Sequence, residues 1–225
     1  MVFRRDGEEW SPKNGPEFVL GSLRGPGLHQ ARGLEAVFVG HGVQAPEYGW
    51  DDYKGLDCKG KLLVMLVGDP PVEDDSLFGG EAMTYYGRWT YKYEKAREMG
   101  AAACIVVHRT SWAGYGWPVV FNSWGQPRMD LAGGKPNEKY GFRGWLTWEA
   151  ADRLVRASGA GIEELAERAR KADFRPVPLG WRADLAVTNA QVELEDVNVV
   201  GAIRGRIRSF ATSGSSSPPT TTTSA

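Results

Sequence analysis

Cysteine and histidine are scarce in this chain, with two and three residues respectively among 225. Cys58 and Cys104 lie beside or inside apolar runs, and no Cys-x-x-Cys or Cys/His ligand spacing occurs. The pair therefore reads as small buried hydrophobes; a disulfide between them is compatible with an oxidising compartment but not implied. No run approaches the ~20 apolar residues that cross a bilayer. Nor does an apolar h-region follow the arginines of Met1-Val-Phe-Arg-Arg-Asp-Gly-Glu-Glu. Neither a membrane span nor a signal peptide is read, and localisation stays open. Excess charge is missing too: 27 Lys and Arg against 28 Asp and Glu leave a net charge of −1. That balance excludes a global electrostatic argument for nucleic acid as partner. Gly-x-Ser-x-Gly is absent, which removes the usual serine nucleophile turn. Cys104 sits in an apolar run, where a thiolate is disfavoured. Gly-x-Gly-x-x-Gly and Walker patterns are also absent. The turn after Val67 is Gly-Asp-Pro-Pro with an acidic Glu73-Asp74-Asp75 behind it, which repels phosphate.

What remains is an ordinary apolar fraction of 42% and an unusual nine Trp. The length suits one domain or one and a half. Trp at this density marks either a thick aromatic core or a contact surface. Residues 1–33 are polar, punctuated by Gly and Pro, and read as loop except for a short strand at Glu17–Leu20. Glu35–Gly40 is a compact β-branched and aromatic run, hence a strand. His41–Lys54 reads as loop. Lys61–Val67 is apolar without alternation, as in a strand buried on both faces, and Pro70-Pro71 stop it. A helix follows over Arg88–Met99, with Trp89, Tyr93, Ala96 and Met99 on one face and Gly100 as its C′ residue. Ala102–Val107 is the next apolar strand. Strand, helix, strand at these lengths predicts a right-handed crossover between parallel strands.

His108–Tyr140 reads as a long irregular segment rich in Trp. Gly144-Trp-Leu-Thr147 leads into a helix with Thr147 as N-cap, Glu149 in its first turn, a core stripe of Ala151, Leu154 and Val155, and Gly159 at its end. A second, more charged helix spans Ile162–Lys171. Phe174–Gly180 reads as a connector, Asp184–Leu194 as one strand or two, and Val197–Ile203 as a strand. From Ser209 the chain is Ser, Thr and Pro without periodicity, the composition of a disordered tail.

Few residues carry chemistry. His41, Asp51 and Asp52 are one imidazole and two carboxylates on a single loop, short of a zinc shell. Capping of loop amides is the simpler role for the carboxylates. In Tyr85-Tyr86-Gly87-Arg88-Trp89-Thr90-Tyr91-Lys92-Tyr93, Trp89 and Tyr93 fall on the core face. Tyr85, Tyr86 and Arg88 lie where the helix starts and read as exposed.

Two runs carry a family resemblance. The first is Val37-Phe-Val-Gly-His-Gly-Val-Gln-Ala-Pro-Glu-Tyr-Gly-Trp-Asp-Asp-Tyr-Lys-Gly, followed by Lys59-Gly-Lys61 and its strand. The second is Ala82-Met-Thr-Tyr-Tyr-Gly-Arg-Trp-Thr-Tyr-Lys-Tyr-Glu-Lys-Ala with Gly100-Ala-Ala-Ala103. Together they resemble the protease-associated (PA) domain inserted in exported di-zinc aminopeptidases, the clan of the glutamate carboxypeptidases and the transferrin receptor. The resemblance covers about 35–205 and is looser after Pro127. It implies an α/β fold, a small mixed sheet or open barrel with flanking helices, joined to a fragment of a peptidase domain. The implied organisation is a lead-in over 1–34, a PA domain over 35–150, joining helices and strands over 151–205 and a tail over 206–225. It implies no catalytic or metal residue in this chain; the family's two zinc ions belong to its peptidase domain. The implied partners are that domain and a peptide substrate or protein partner. The implied location is the periplasm or outside the cell. The contact surface expected on this reading is Trp50, Tyr85, Tyr86 and Arg88 with Trp112, Tyr115, Trp117 and Trp124.

In the family a second strand and a His-x-Asp motif follow the strand at Asn198-Val-Val-Gly201, and no His-x-Asp occurs in this sequence. A slipped reading frame is the expected reason. Read one frame on, every Thr-Thr step becomes any-base-A-C, which encodes Tyr, His, Asn or Asp. The shifted tail then permits apolar-apolar-Ser-Ala-His-Tyr-Asp-His-Leu-Gly. The expectation is therefore an inactive, truncated piece of a zinc aminopeptidase, with residues after about Arg204 out of frame. The alternatives are a stand-alone interaction module using the Trp-rich segment 112–124, and a small independent hydrolase, for which no nucleophile–base pattern is present.

Overall fold

The structure, a computed structural model, describes residues 1–72, 74, 76–80, 82–127, 141–195, 197, 199 and 201. The chain divides into two units, Met1–Gln191 and Val192–Ala225.

The first unit is built on a mixed sheet of eight strands. In chain order these are β1 (Val2–Arg5), β2 (Glu8–Trp10), β3 (Phe18–Ser22), β4 (Gly27–Phe38), β7 (Leu62–Leu66), β8 (Ala103–His108), β9 (Phe142–Thr147) and β10 (Val177–Asn189). A separate two-residue ribbon joins β5 (Gln44–Ala45) to β6 (Trp50–Asp51). Across the large sheet the order is β2-β1-β10-β4-β7-β8-β9-β3. The sheet curls into a half-barrel: Asn189, at the end of β10, donates to the carbonyls of Ser22 and Arg24 beside the edge strand β3.

The centre is parallel, with β4, β7, β8 and β9 in register side by side. Period-2 alternation sends their side chains into two cores. Ala36, Phe38, Leu62, Val64, Leu66, Ile105 and Val107 face one; Val37, Val39, Leu63, Met65, Cys104 and Val106 face the other. That is why β7 reads as an unbroken apolar run: all five of its residues are buried. Helices α4 (Trp148–Val155) and α5 (Ile162–Arg168) cover the first core, and α1 (Trp89–Glu98) covers the second. Thr147 Oγ1 caps α4 by accepting from the Ala150 amide. Gly100 takes the left-handed conformation just past α1, at φ 77°. Cys58 and Cys104 are buried and free, as small hydrophobes.

Several elements depart from the sequence expectations. Residues 1–33 are not loop: they form β1, β2, β3 and the first part of β4, which runs unbroken through residues 34 and 35. These strands are short, and a single residue anchors each of the first two, Phe3 and Trp10, so alternation is hard to read. The legible signal was Asp6-Gly7, which turns β1 into β2 with both residues at positive φ, 47° and 84°. The Trp-rich segment is not irregular either: α2 (Thr110–Ala113) and α3 (Trp117–Trp124) occupy it, with residues 128–140 outside the described set. The run before Thr147 is strand β9, paired with β8 and β3. Gly144 hides it from propensity, yet a Cβ there would lie 2.3 Å from the Val19 carbonyl oxygen. The pairing with β3 therefore needs the glycine. The expected connector Phe174–Gly180 is instead strand from Val177 on, and the open choice of one strand or two resolves to one, Val177–Asn189, interrupted by register shifts.

In the second unit none of the described residues lies in a strand or helix. The strand expected over Val197–Ile203 is not formed at Val197, Val199 and Gly201, and the two valines are 81% and 92% exposed. The rest of that run and the tail over 206–225 lie outside the described residues.

Candidate functional site

The carboxyl ends of β4 and β7 carry a buried polar cluster. Chain reversals after these strands place His41 and Gly68 side by side. The Gly68 carbonyl accepts from His41 Nδ1 at 3.0 Å and from Lys92 Nζ at 3.1 Å. Lys92 is fully buried on α1, and no carboxylate among the described residues comes within ion-pair distance of it. Burial and the Lys92 charge push His41 down to about 3, so it is neutral at ordinary pH. Its Nε2 is buried without a hydrogen-bond partner among the described residues.

Asp52 closes the loop that faces Lys92. Its Oδ2 accepts from the Val43 amide at 2.9 Å and its Oδ1 from Trp50 Nε1 at 2.8 Å, while its own amide donates to the Val43 carbonyl. Asp51 caps the Tyr53 amide at 2.8 Å, and the Tyr53 hydroxyl donates to the Gly42 carbonyl. These carboxylates cap loop amides, the simpler role read from the sequence.

Burial pushes Asp52 up to about 6 and Lys92 down to about 8. The signs give a stability prediction. Asp52, raised, contributes stability that is complete below its unfolded value and lost as pH rises through 6. Lys92, lowered, contributes stability that is complete above its unfolded value and lost as pH falls through 8. The pair is therefore least favourable between about pH 6 and pH 8. Urea titrations from pH 4 to pH 10 check this. Asp52→Asn is expected to remove the acid limb of the difference curve and Lys92→Met the alkaline limb.

An aromatic cluster sits beside this polar one. Trp50, Phe78 and Tyr91 are buried together, with Tyr48 and Tyr86 packed on them. Trp50 is 3% exposed, so its assignment to a contact surface is corrected: its ring fills the space under Phe78, and its N–H is used by Asp52. Arg88 is exposed at the N-cap of α1, Tyr85 is 52% exposed, and Tyr86 is half-buried with its hydroxyl on Glu47.

The Trp-rich segment is half-buried. Trp117 Nε1 donates to the Gly15 carbonyl, and Trp124 packs on Trp89, Tyr93 and Trp145. His108 donates through Nε2 to the Tyr115 carbonyl. The Arg109 guanidinium lies over both Trp112 and Trp148, at 4.7 and 4.4 Å. The large hydrophobic residues α3 shows to solvent are instead Val119 and Phe121. The spacing of Trp117, Val120 and Trp124 on one helical face was the signal for this reversal.

One ring nitrogen of each histidine bonds a backbone carbonyl, His29 to Gly25, His41 to Gly68 and His108 to Tyr115. Among the described residues no group of three His, Cys, Asp or Glu side chains converges.

The fold is thus a mixed α/β half-barrel with helices on both faces. No family model matches the chain, and no curated protein matches it in sequence. Among solved structures, an aminopeptidase from Aneurinibacillus sp. strain AM-1 is similar at 15% identity and a TM-score of 0.32. That similarity covers 82% of this chain and 32% of the aminopeptidase, so this chain spans about a third of its length.

Proposed function

We propose that this chain is the non-catalytic PA-type module of a zinc-dependent aminopeptidase, acting as a lid or substrate-positioning element beside a peptidase domain that holds the zinc ions. One observation carries the reading. The two runs that bear the resemblance, separated in sequence, meet in a single interior: Trp50 and Asp52 from the first face Tyr91 and Lys92 from the second. Shared residues that build one scaffold are what a positioning module requires, since its polar groups serve its own loops. The slipped frame after about Arg204 is part of this proposal, and the nucleotide sequence downstream of Gly201 tests it. A stop codon there in the shifted frame, or no His-x-Asp, ends that part.

The functional test is direct. The purified chain, incubated with leucine p-nitroanilide and added zinc, is expected to release no nitroaniline above the blank. After dialysis it is expected to retain less than one zinc per chain. Chelator-sensitive hydrolysis with a stoichiometric zinc overturns the reading.

A second reading, a free-standing interaction module, is favoured by Val119 and Phe121, exposed on the Trp-rich helix α3. Limited proteolysis separates the two. Resistance through Ile203 supports the free-standing module, and early loss of residues after Gln191 supports the orphaned one.

A further inference from the structure

Four tyrosines form a row across the start of α1. Tyr48, Tyr86, Tyr91 and Tyr85 meet edge to face, with successive ring centroids 6.5, 5.0 and 5.8 Å apart. Tyr91 is the buried floor; Tyr48 and Tyr86 are half-buried, and Tyr85 is exposed. Two exposed carboxylates stand beside the row, one at Tyr86 and one at Tyr85. The Tyr86 hydroxyl donates to Glu47 Oε1 at 2.6 Å, and the Tyr85 hydroxyl donates to Glu94 Oε2. The loop that carries Glu47 and Tyr48 lies some 40 residues before the start of α1, which supplies the other groups, so the arrangement exists only in the folded chain.

Aromatic faces carry negative quadrupole charge and attract cations. A carboxylate has more acceptor sites than a single hydroxyl uses, so each glutamate is oriented by its tyrosine while keeping acceptor capacity for another donor. We propose that this Tyr–Glu row is a binding surface for a basic peptide segment, with Lys or Arg side chains lying over the ring faces and paired to Glu47 and Glu94. Glu47 is held below the usual carboxylate range by the Tyr86 hydroxyl, so it is charged at neutral pH. Tyr86 is pushed up to about 12 by the same bond and stays a donor.

Arg88, also exposed, is the opposing charge. Lys92, 5.9 Å from the Tyr91 ring centroid, is buried, so among the described residues an acidic partner at the row would meet the exposed Arg88 guanidinium against the Glu47 and Glu94 carboxylates, and a basic partner is the better complement. The chain's net charge of −1 is too small to hold a cationic peptide non-specifically. The proposal does not depend on a role beside a peptidase, and its test uses no peptidase readout.

The probe is a fluorescein-labelled hexalysine peptide, followed by fluorescence anisotropy at low salt with the full chain. Hexalysine is expected to bind and labelled hexaglutamate not to. Glu47→Gln/Glu94→Gln is expected to weaken hexalysine by about tenfold or more, and Tyr85→Ala by several fold. Glu8→Gln, on strand β2 away from the row, is expected to stay within about twofold. Circular dichroism of each variant confirms folding. Failure of hexalysine to bind, equal binding of hexaglutamate, or an equal loss in Glu8→Gln overturns the proposal.

Discussion

Asp52→Ala is expected to lower the free energy of unfolding by about 3–5 kcal/mol, read as a reduced urea midpoint at pH 7 with an unchanged slope. Three losses combine. The Val43 amide and the Trp50 indole N–H are buried and lose their acceptor, and each such orphaned donor costs about 1–3 kcal/mol. Lys92, fully buried, loses the nearby negative charge that favours its ammonium. These penalties overlap because they share one site, so they do not simply add. Adding Lys92→Met should recover part of the loss, since it removes a buried ammonium that the first substitution leaves without the nearby negative charge of Asp52. If the double variant is no more stable than Asp52→Ala alone, Asp52 and Lys92 are not coupled and the electrostatic account of this cluster fails.

Trp145→Ala has an expected cost of similar size, about 3–5 kcal/mol. Trp145 is the largest fully buried side chain of the described residues. It stands on β9, the strand that joins β8 to the edge strand β3. Its ring meets Trp124 of α3 and His108 at the end of β8. The cavity should therefore loosen α3 and the sheet edge before the centre of the sheet. Hydrogen exchange checks the order: amides of α3 and β3 should lose protection more than those of β7. Trp145→Phe provides a contrast. It removes an indole N–H that has no partner among the described residues, and it keeps most of the apolar volume. It should cost much less than the alanine variant. A phenylalanine variant as unstable as the alanine one would show that shape at this site matters more than buried volume.

The Asp52 variant acts where sequence reading and structure part company. Lys92 looks like a solvent-facing residue of α1, yet it is fully buried, because the loop 41–53 folds over that side of the helix. No periodicity within α1 announces a cover supplied by a loop some 40 residues earlier in the chain. Trp50 sits on a polar-looking loop tip, Trp50-Asp-Asp-Tyr, and reads as exposed. Asp52 turns that tip inward by capping Val43, and the indole follows.

The sequence by itself determined β7, α1 and β8, the parallel pairing of the two strands and the capped helix after Thr147. Each rests on local chemistry: an unbroken apolar run, a helical face, a glycine past a helix end, a threonine hydroxyl over the Ala150 amide. It also located the two runs that build the shared interior. Only the tertiary structure decided the rest. Strands β1 to β3 and β9 are short, charged or glycine-bearing, and owe their existence to neighbours that complete their hydrogen bonds. The Trp-rich segment folds inward because Tyr93, Trp145 and the Gly15 carbonyl receive it. The tyrosine row exists only because residues near 47, 85 and 91 are brought to one surface by the crossover. Local chemistry states what a residue prefers, whereas burial and pairing depend on which distant groups arrive beside it.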